Sequence, residues 1–116
     1  RFPNGCKPEM KAYFDSLLDL SKHVLGFTLP ALGFKSEDVS KLKSNVSDDV
    51  IMRYLTYPSY HAEANGSNVR LAPHTDMTLF TLLNQTPAEN SFTSLQAMIN
   101  GQWRPVPAVR GTILVQ

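Results

Sequence analysis

The sequence places a histidine and an aspartate two residues apart, at His74 and Asp76, within a stretch of strand-forming residues. In an extended backbone, residues i and i+2 point to the same side of the strand, roughly 6.6 to 6.8 Å apart along it. The two side chains can therefore converge on one ion, while Thr75 points away from it. Such a pair can bind a metal ion and leave several of its coordination positions open to other ligands.

One further histidine would complete a two-histidine, one-carboxylate facial triad, the arrangement that holds non-haem Fe(II). The alternative interpretation is structural: His74 and Asp76 form a turn between two strands, and the carboxylate only accepts hydrogen bonds from nearby backbone amides. Short motifs have high false-positive rates, so the two residues by themselves favour the turn. The segments around them are needed to decide.

Two other histidines are weaker candidates for a metal ligand. His61 and Glu63 repeat the same spacing, but they lie in the stretch 58–67, which is rich in turn residues and lacks a strand pattern, so we interpret it as a surface loop. His23 lies between Lys22 and Val24 on a predicted helix, where a solvated or partly packed histidine is the ordinary explanation.

The first third of the chain has the pattern of an amphipathic helix over residues 8–32. Pro30 removes a backbone donor and should kink or end this helix, and Gly33 suits its C-terminal cap. A second, short helix is predicted from Ser36, as N-cap, to about Leu42. The apolar residues of the first helix recur at intervals of three, four and seven: Met10, Phe14, Leu17, Leu18, Leu25 and Leu32.

The composition changes after residue 49 to β-branched and aromatic runs separated by turn residues, which predicts strands. Between two of them, Asn100 and Gly101 indicate a two-residue hairpin. Helices followed by antiparallel strands favour an α+β fold, with a helical region at 1–48 and a β domain at 49–116. The predicted strands cover residues 50–57, 69–73, 78–84, 94–99, 102–106 and 111–116.

The composition and net charge of the chain do not indicate a macromolecular partner. The 116 residues are 42% hydrophobic and 18% charged with a formal net charge of +1, and no run of like charges forms a nucleic-acid or membrane patch. No apolar run approaches the roughly 18 residues that a membrane span needs. The single cysteine, Cys6, cannot form an internal disulfide, which is compatible with a reducing compartment, so we predict a cytoplasmic protein.

The context of His74 and Asp76 resembles a known family, the isopenicillin N synthase-like 2-oxoglutarate/Fe(II)-dependent dioxygenases. The resemblance starts from Pro-His-Thr-Asp at 73–76 and the strand Thr-Leu-Phe-Thr-Leu-Leu at 78–83. It extends in order over nearly the whole chain. The further matching segments are Ala-Leu-Gly-Phe at 31–34, Met-Arg-Tyr-Leu-Thr-Tyr-Pro at 52–58, Asn-Gly-Gln-Trp-Arg-Pro-Val-Pro at 100–107 and Gly-Thr-Ile-Leu-Val at 111–115.

The resemblance implies a partial double-stranded β-helix, or jelly roll, with the N-terminal helix packed on it. It implies that His74 and Asp76 are two of three iron ligands and that the Tyr57 hydroxyl helps to hold the distal carboxylate of 2-oxoglutarate. A core tyrosine that anchors a strand is the alternative for Tyr57. Arg70 is a candidate for the mouth of the substrate pocket, with a solvated strand-end arginine as its alternative.

The implied reaction uses Fe(II), 2-oxoglutarate and O₂ to oxidise a small organic substrate, usually by hydroxylation, with release of succinate and CO₂. Two alternatives stay open: an Fe(II) oxidase of the same fold that does not use 2-oxoglutarate, and a non-catalytic β-sandwich interaction module. The segment 90–97 departs from the family pattern, which usually has a Gly-Gly or similar pair there. We expect the third iron ligand, a histidine, beyond Gln116, together with an Arg-x-Ser motif that binds 2-oxoglutarate. We therefore expect the chain to be a fragment that is inactive by itself.

Overall fold

The computed structural model describes residues 7–46, 50–57, 69–88 and 92–116. The chain divides into two compact units, Arg1–Val69 and Arg70–Gln116. The first unit contains the helices α1 (Pro8–Ala31) and α2 (Ser36–Asn45). The second contains four short strands: β1 (Leu82–Leu83), β2 (Gln96–Ile99), β3 (Gln102–Pro105) and β4 (Leu114–Val115).

Helix α1 begins at Pro8, where the missing backbone donor costs nothing, and buries a stripe of residues spaced four apart. Ser21, Leu25 and Leu29 form this stripe, and the Ser21 hydroxyl is satisfied by donating to the Leu18 carbonyl at 2.6 Å. The predicted helix is confirmed to within one residue. The predicted apolar face is only partly correct, because Leu32 lies past the helix end and is 70% exposed.

The end of α1 is capped as predicted. Pro30 is the next-to-last helical residue, and Gly33 follows with φ +87°, a conformation that glycine adopts without strain. The Phe34 amide donates to the Leu29 carbonyl at 3.0 Å and the Gly33 amide to the Pro30 carbonyl at 3.0 Å. These two bonds form a Schellman motif, which satisfies carbonyls that the helix end would otherwise leave unpaired.

Helix α2 packs on α1 and buries Val39. Its predicted N-cap was wrong by one residue: Lys35 occupies that position, and Ser36 is the first helical residue without a capping side-chain bond. The helix also continues past Leu42 to Asn45, with Lys43 in its last turn where the helix dipole favours a cation.

Gly26→Ala is expected to stabilise the protein. Glycine inside a helix costs about 0.5–1 kcal/mol relative to alanine, and an added Cβ at Gly26 would first meet the flexible end of Lys43, at 3.4 Å from Nζ. We therefore expect a higher melting temperature for the full-length variant. Gly33→Ala is the matched control and should lower it, since its φ is positive. A lower melting temperature for Gly26→Ala would contradict the helix packing described above.

Strands β2 and β3 form the predicted hairpin. Asn100 and Gly101 both have positive φ, 51° and 76°, as a type I′ turn requires. The antiparallel register pairs Ile99 with Gln102 and Met98 with Trp103. Trp103 is a sheet residue as predicted and is 48% exposed.

Strands β1 and β4 form a second antiparallel pair, in which Leu82 faces Val115 and Leu83 faces Leu114. One residue beyond the assigned strands, the Thr81 amide donates to the Gln116 carbonyl at 2.7 Å, and the Gln116 amide donates to the Thr81 carbonyl at 3.1 Å. The hydrogen-bonded ladder therefore reaches Thr81 and Gln116.

Several predicted strands were wrong or too long. Neither 50–57 nor 69–73 belongs to a sheet of the described structure, and a strand exists only through its hydrogen-bonded ladder. The strand predicted at 78–84 shrinks to β1 because residues 77–79 bend. The strand predicted at 111–116 shrinks to β4 because Gly111, with φ +78°, lies in a turn closed by the Thr112 amide on the Val109 carbonyl.

Helices followed by small antiparallel sheets agree with the α+β prediction, but two-stranded sheets do not by themselves make a jelly roll. Packing of α1 on the sheets remains a prediction. Neither helix of the described segments combines the length and apolar character that crossing a bilayer requires.

Candidate metal-binding site

His74 and Asp76 lie in a non-helical stretch, residues 72–76, that precedes the bend at 77–79. Their side chains converge, with Nε2 of His74 3.5 Å from Oδ1 of Asp76. Both are accessible, at 51% and 32% of the side-chain surface. The structure thus brings together the two residues that the spacing singled out, and the bend follows them instead of containing them.

The hydrogen bond of the His74 ring fixes which nitrogen is available. Nδ1 lies 2.9 Å from the Ala72 carbonyl oxygen, which can only accept, so Nδ1 carries the proton and donates. In a neutral imidazole, Nε2 then keeps its lone pair. A backbone carbonyl is one of the usual partners of the second ring nitrogen in a metal-binding histidine.

The Asp76 carboxylate has different surroundings at its two oxygens. The Thr81 hydroxyl donates to Oδ2, and the Gln116 side-chain amide lies 3.4 Å from the same oxygen. Thr78 Oγ1 is 3.4 Å from Thr81 Oγ1. Oδ1 is the oxygen that faces His74.

The two side chains fit a divalent metal. Ligand atoms about 2.1 Å from an ion and at right angles to each other lie about 3 Å apart. The observed 3.5 Å approaches that value. An imidazole nitrogen with a carboxylate oxygen is a suitable donor pair for Fe(II). No third histidine, cysteine or acid joins them among the described residues, so this part of the chain offers two candidate ligands.

The structure describes some of the other candidate residues and not others. Tyr57 belongs to the unit Arg1–Val69 and is 56% exposed, which does not suit the alternative role of a core tyrosine. Arg70 is an exposed residue at the start of the second unit. His61 and Glu63 lie outside the described residues. His23 is exposed on α1, where its Nδ1 bonds the Asp19 carbonyl at 2.9 Å, as expected for a surface histidine.

Thr81 and Gln116 were missed by the sequence reasoning. The period of two that selects His74 and Asp76 does not carry across the bend at 77–79, which returns Thr81 toward Asp76. Gln116 reaches the same carboxylate only through pairing with a segment much later in the chain. A hydroxyl residue shortly after the aspartate was the one available signal.

Comparison with known proteins gives matches over most of the chain. The family model of the 2OG-Fe(II) oxygenase superfamily matches residues 47–116, which include His74 and Asp76. The chain is 33% identical to a deacetoxycephalosporin C hydroxylase of Streptomyces clavuligerus over 106 residues, covering 89% of the chain and 33% of that protein. It is 30% identical to a deacetoxycephalosporin C synthase of Amycolatopsis lactamdurans over 103 residues, again 89% and 33%.

A third relative, an alpha-ketoglutarate dependent kainoid synthase of Digenea simplex, is 30% identical over 102 residues, covering 84% of the chain and 28% of that protein. The chain thus spans about a third of the length of the curated relatives it matches. No solved structure matches.

Proposed function

Because the chain belongs to the 2OG-Fe(II) oxygenase superfamily, we propose that it carries two ligands of an Fe(II) site, Nε2 of His74 and Oδ1 of Asp76. The observation that supports this most strongly is their 3.5 Å approach with Nδ1 of His74 tied to a backbone carbonyl. The complete protein is a 2-oxoglutarate-dependent oxygenase of a small organic substrate in this proposal. A third ligand comes from outside the described residues.

When bound, Fe(II) with 2-oxoglutarate supplies O₂ activation, coupling conversion of 2-oxoglutarate to succinate and CO₂ with oxidation of the substrate. The protein's share is to hold the ligand atoms and the co-substrate in place. His74 offers a neutral lone pair at Nε2 because Nδ1 keeps the proton. Asp76 offers a negative charge that offsets part of the charge of the ion.

The names of the relatives support the co-substrate but not a particular substrate. Alpha-ketoglutarate, in the name of the Digenea simplex relative, is another name for 2-oxoglutarate. The same names refer to a cephalosporin and to a kainoid, which are different chemical classes. Since substrate specificity depends on the site and not on the fold, we carry over only the general kind of reaction.

We also propose a domain organisation and a cellular location for the protein. Residues 49–116 form the N-terminal part of a jelly-roll domain, and residues 1–48 are a helical region leading into it. The family match at 47–116 supports that division. Arg70 is exposed and lies shortly before the proposed metal ligands in the sequence. We propose that it lies at the mouth of the substrate pocket, where it would bind an acidic group. The protein is proposed to be cytoplasmic.

Tyr57→Phe is expected to weaken 2-oxoglutarate binding without unfolding the protein. We propose that the Tyr57 hydroxyl donates to the distal carboxylate of the co-substrate, and its 56% exposure leaves it accessible. A hydrogen bond to a charged group contributes about 1.5 to 3 kcal/mol, so the apparent affinity should fall about ten- to a hundredfold. The measurement is succinate release from the full-length protein as 2-oxoglutarate is varied.

Tyr54→Phe is the matched control, since Tyr54 lies in the same segment and is 83% exposed. It should leave the 2-oxoglutarate dependence unchanged. Equal behaviour of the two variants would mean that the Tyr57 hydroxyl does not touch the co-substrate.

The proposed reaction is separated from its alternatives by two assays on the full-length protein. Anaerobic titration with Fe(II) should show one bound ion, whereas a non-catalytic β-sandwich module would bind none. Aerobic incubation with Fe(II) and 2-oxoglutarate should release succinate. Iron binding and O₂ consumption without any succinate would instead identify an oxidase that does not use 2-oxoglutarate.

A further inference from the structure

Other side chains hold the Asp76 carboxylate in place, and their contacts indicate how this carboxylate would face a metal ion. We propose that Thr81, assisted by Gln116, is a positioning residue that holds Oδ2 of Asp76 so that Oδ1 alone faces the metal. The inference rests on the proposed function, because it concerns how one of the two proposed ligands is oriented. In this proposal Thr81 and Gln116 act on the ion only through Asp76.

The two carboxylate oxygens of Asp76 have different neighbours. The Thr81 hydroxyl donates directly to this oxygen, and the Gln116 amide, 3.4 Å away, approaches it as a weaker second donor. Oδ1 lies 3.5 Å from the ring nitrogen of His74 that keeps its lone pair. The carboxylate therefore presents one oxygen to hydroxyl and amide donors and the other to the place where an ion would bind.

The backbone explains why both donors are in place. Thr81 and Gln116 face each other across the two strands, joined by amide-to-carbonyl bonds of 2.7 and 3.1 Å. The next pairs along this ladder are Leu82 with Val115 and Leu83 with Leu114. A hydrogen-bonded strand pair holds side chains more precisely than a loop does. The ladder thus anchors the donors, while Asp76 itself lies before the bend and outside any strand.

The orientation of a carboxylate is easily lost without such donors. The terminal torsion of aspartate is broad, so an unrestrained carboxylate samples many orientations about its last bond. Hydrogen bonds to a ligating carboxylate restrict that motion, and removing such a partner typically lowers metal affinity about ten- to a hundredfold. Loss of the Thr81 hydroxyl would also leave Oδ2 available for two-oxygen binding of the ion, which changes the number of ligand atoms.

The test uses the full-length protein with Co(II) as a probe, added without O₂. Titration gives the affinity, and the visible absorption of bound Co(II) reports the number and arrangement of its ligands. Thr81→Val keeps the side-chain shape but removes the hydroxyl, and it should weaken Co(II) binding about tenfold or more and alter the absorption spectrum. Thr81→Ser keeps the hydroxyl and should resemble the wild type in both readouts.

Two further variants keep the outcome interpretable. Thr75→Val removes a hydroxyl from an exposed residue between the two proposed ligands and should leave affinity and spectrum unchanged. Asp76→Ala should abolish binding. If Asp76→Ala abolishes binding while Thr81→Val behaves like Thr75→Val, the positioning role is wrong and the proposed iron site stands. If Thr81→Ser is as weak as Thr81→Val, the hydroxyl is not the cause, and the inference also fails. Unchanged binding in Asp76→Ala overturns both.

Discussion

His74→Ala and Asp76→Ala are each expected to abolish iron-dependent turnover in the full-length protein. Each substitution removes one of the two proposed ligand atoms, which lie 3.5 Å apart in the described structure. A facial site that loses one of three protein ligands no longer holds Fe(II) in the geometry that co-substrate and O₂ require. The measurement is succinate release at saturating iron and 2-oxoglutarate, with melting temperatures to verify that the variants fold.

Two histidine variants are the controls for this prediction. His23→Ala removes an exposed histidine on α1 whose ring bonds the local Asp19 carbonyl, and it should retain full activity. His61→Ala should be nearly silent as well. Full activity in His74→Ala or Asp76→Ala would refute the assignment. A loss in His61→Ala as large as that in His74→Ala would mean that the wrong histidine was chosen.

The 116-residue chain, expressed by itself, is expected to be inactive and poorly stable. Among the described residues, the buried apolar side chains are Leu25, Leu29 and Val39, all in the helical unit. In the second unit, Met77 and Leu79 are exposed at 102% and 67%. Exposed apolar surface and short strand pairs with open edges favour association over a stable monomer. Two ligands should also bind Fe(II) weakly.

Urea unfolding followed by circular dichroism, together with size-exclusion chromatography, measures this second expectation. We expect a broad transition, self-association and no succinate. A longer version that extends beyond residue 116 is the matched comparison and should recover cooperative unfolding and iron binding together. A monomeric 116-residue chain that unfolds cooperatively and releases succinate would contradict the expectation, and His61 or His23 would then be the first candidates for the missing ligand.

Features of this chain that depend on a few neighbouring residues could be predicted from its sequence. The hairpin turn at Asn100 and Gly101 follows from the need for two positive φ angles in succession. The cap at Gly33 follows from the same conformational freedom. The approach of His74 and Asp76 follows from the alternation of side chains along an extended backbone.

Features that depend on pairing between distant segments could not be predicted in this way. Residues 50–57 have the composition of a strand, yet a strand forms only when another segment completes its hydrogen bonds. The contacts of Thr81 and Gln116 with Asp76 require the bend at 77–79 and the register of β1 with β4. Neither the bend nor the register has a sequence pattern of its own. The contacts of Thr81 and Gln116 with Asp76 therefore could not be predicted from the sequence.

The most direct measurement of the proposed site is iron-edge anomalous diffraction from crystals of the full-length protein, grown without O₂ and with Fe(II) and 2-oxoglutarate. We expect one iron peak within bonding distance of Nε2 of His74 and Oδ1 of Asp76, with 2-oxoglutarate on the same ion. Oδ2 of Asp76 should remain on the Thr81 hydroxyl. An iron ion held by other residues, with His74 and Asp76 turned away from it, would contradict the proposal.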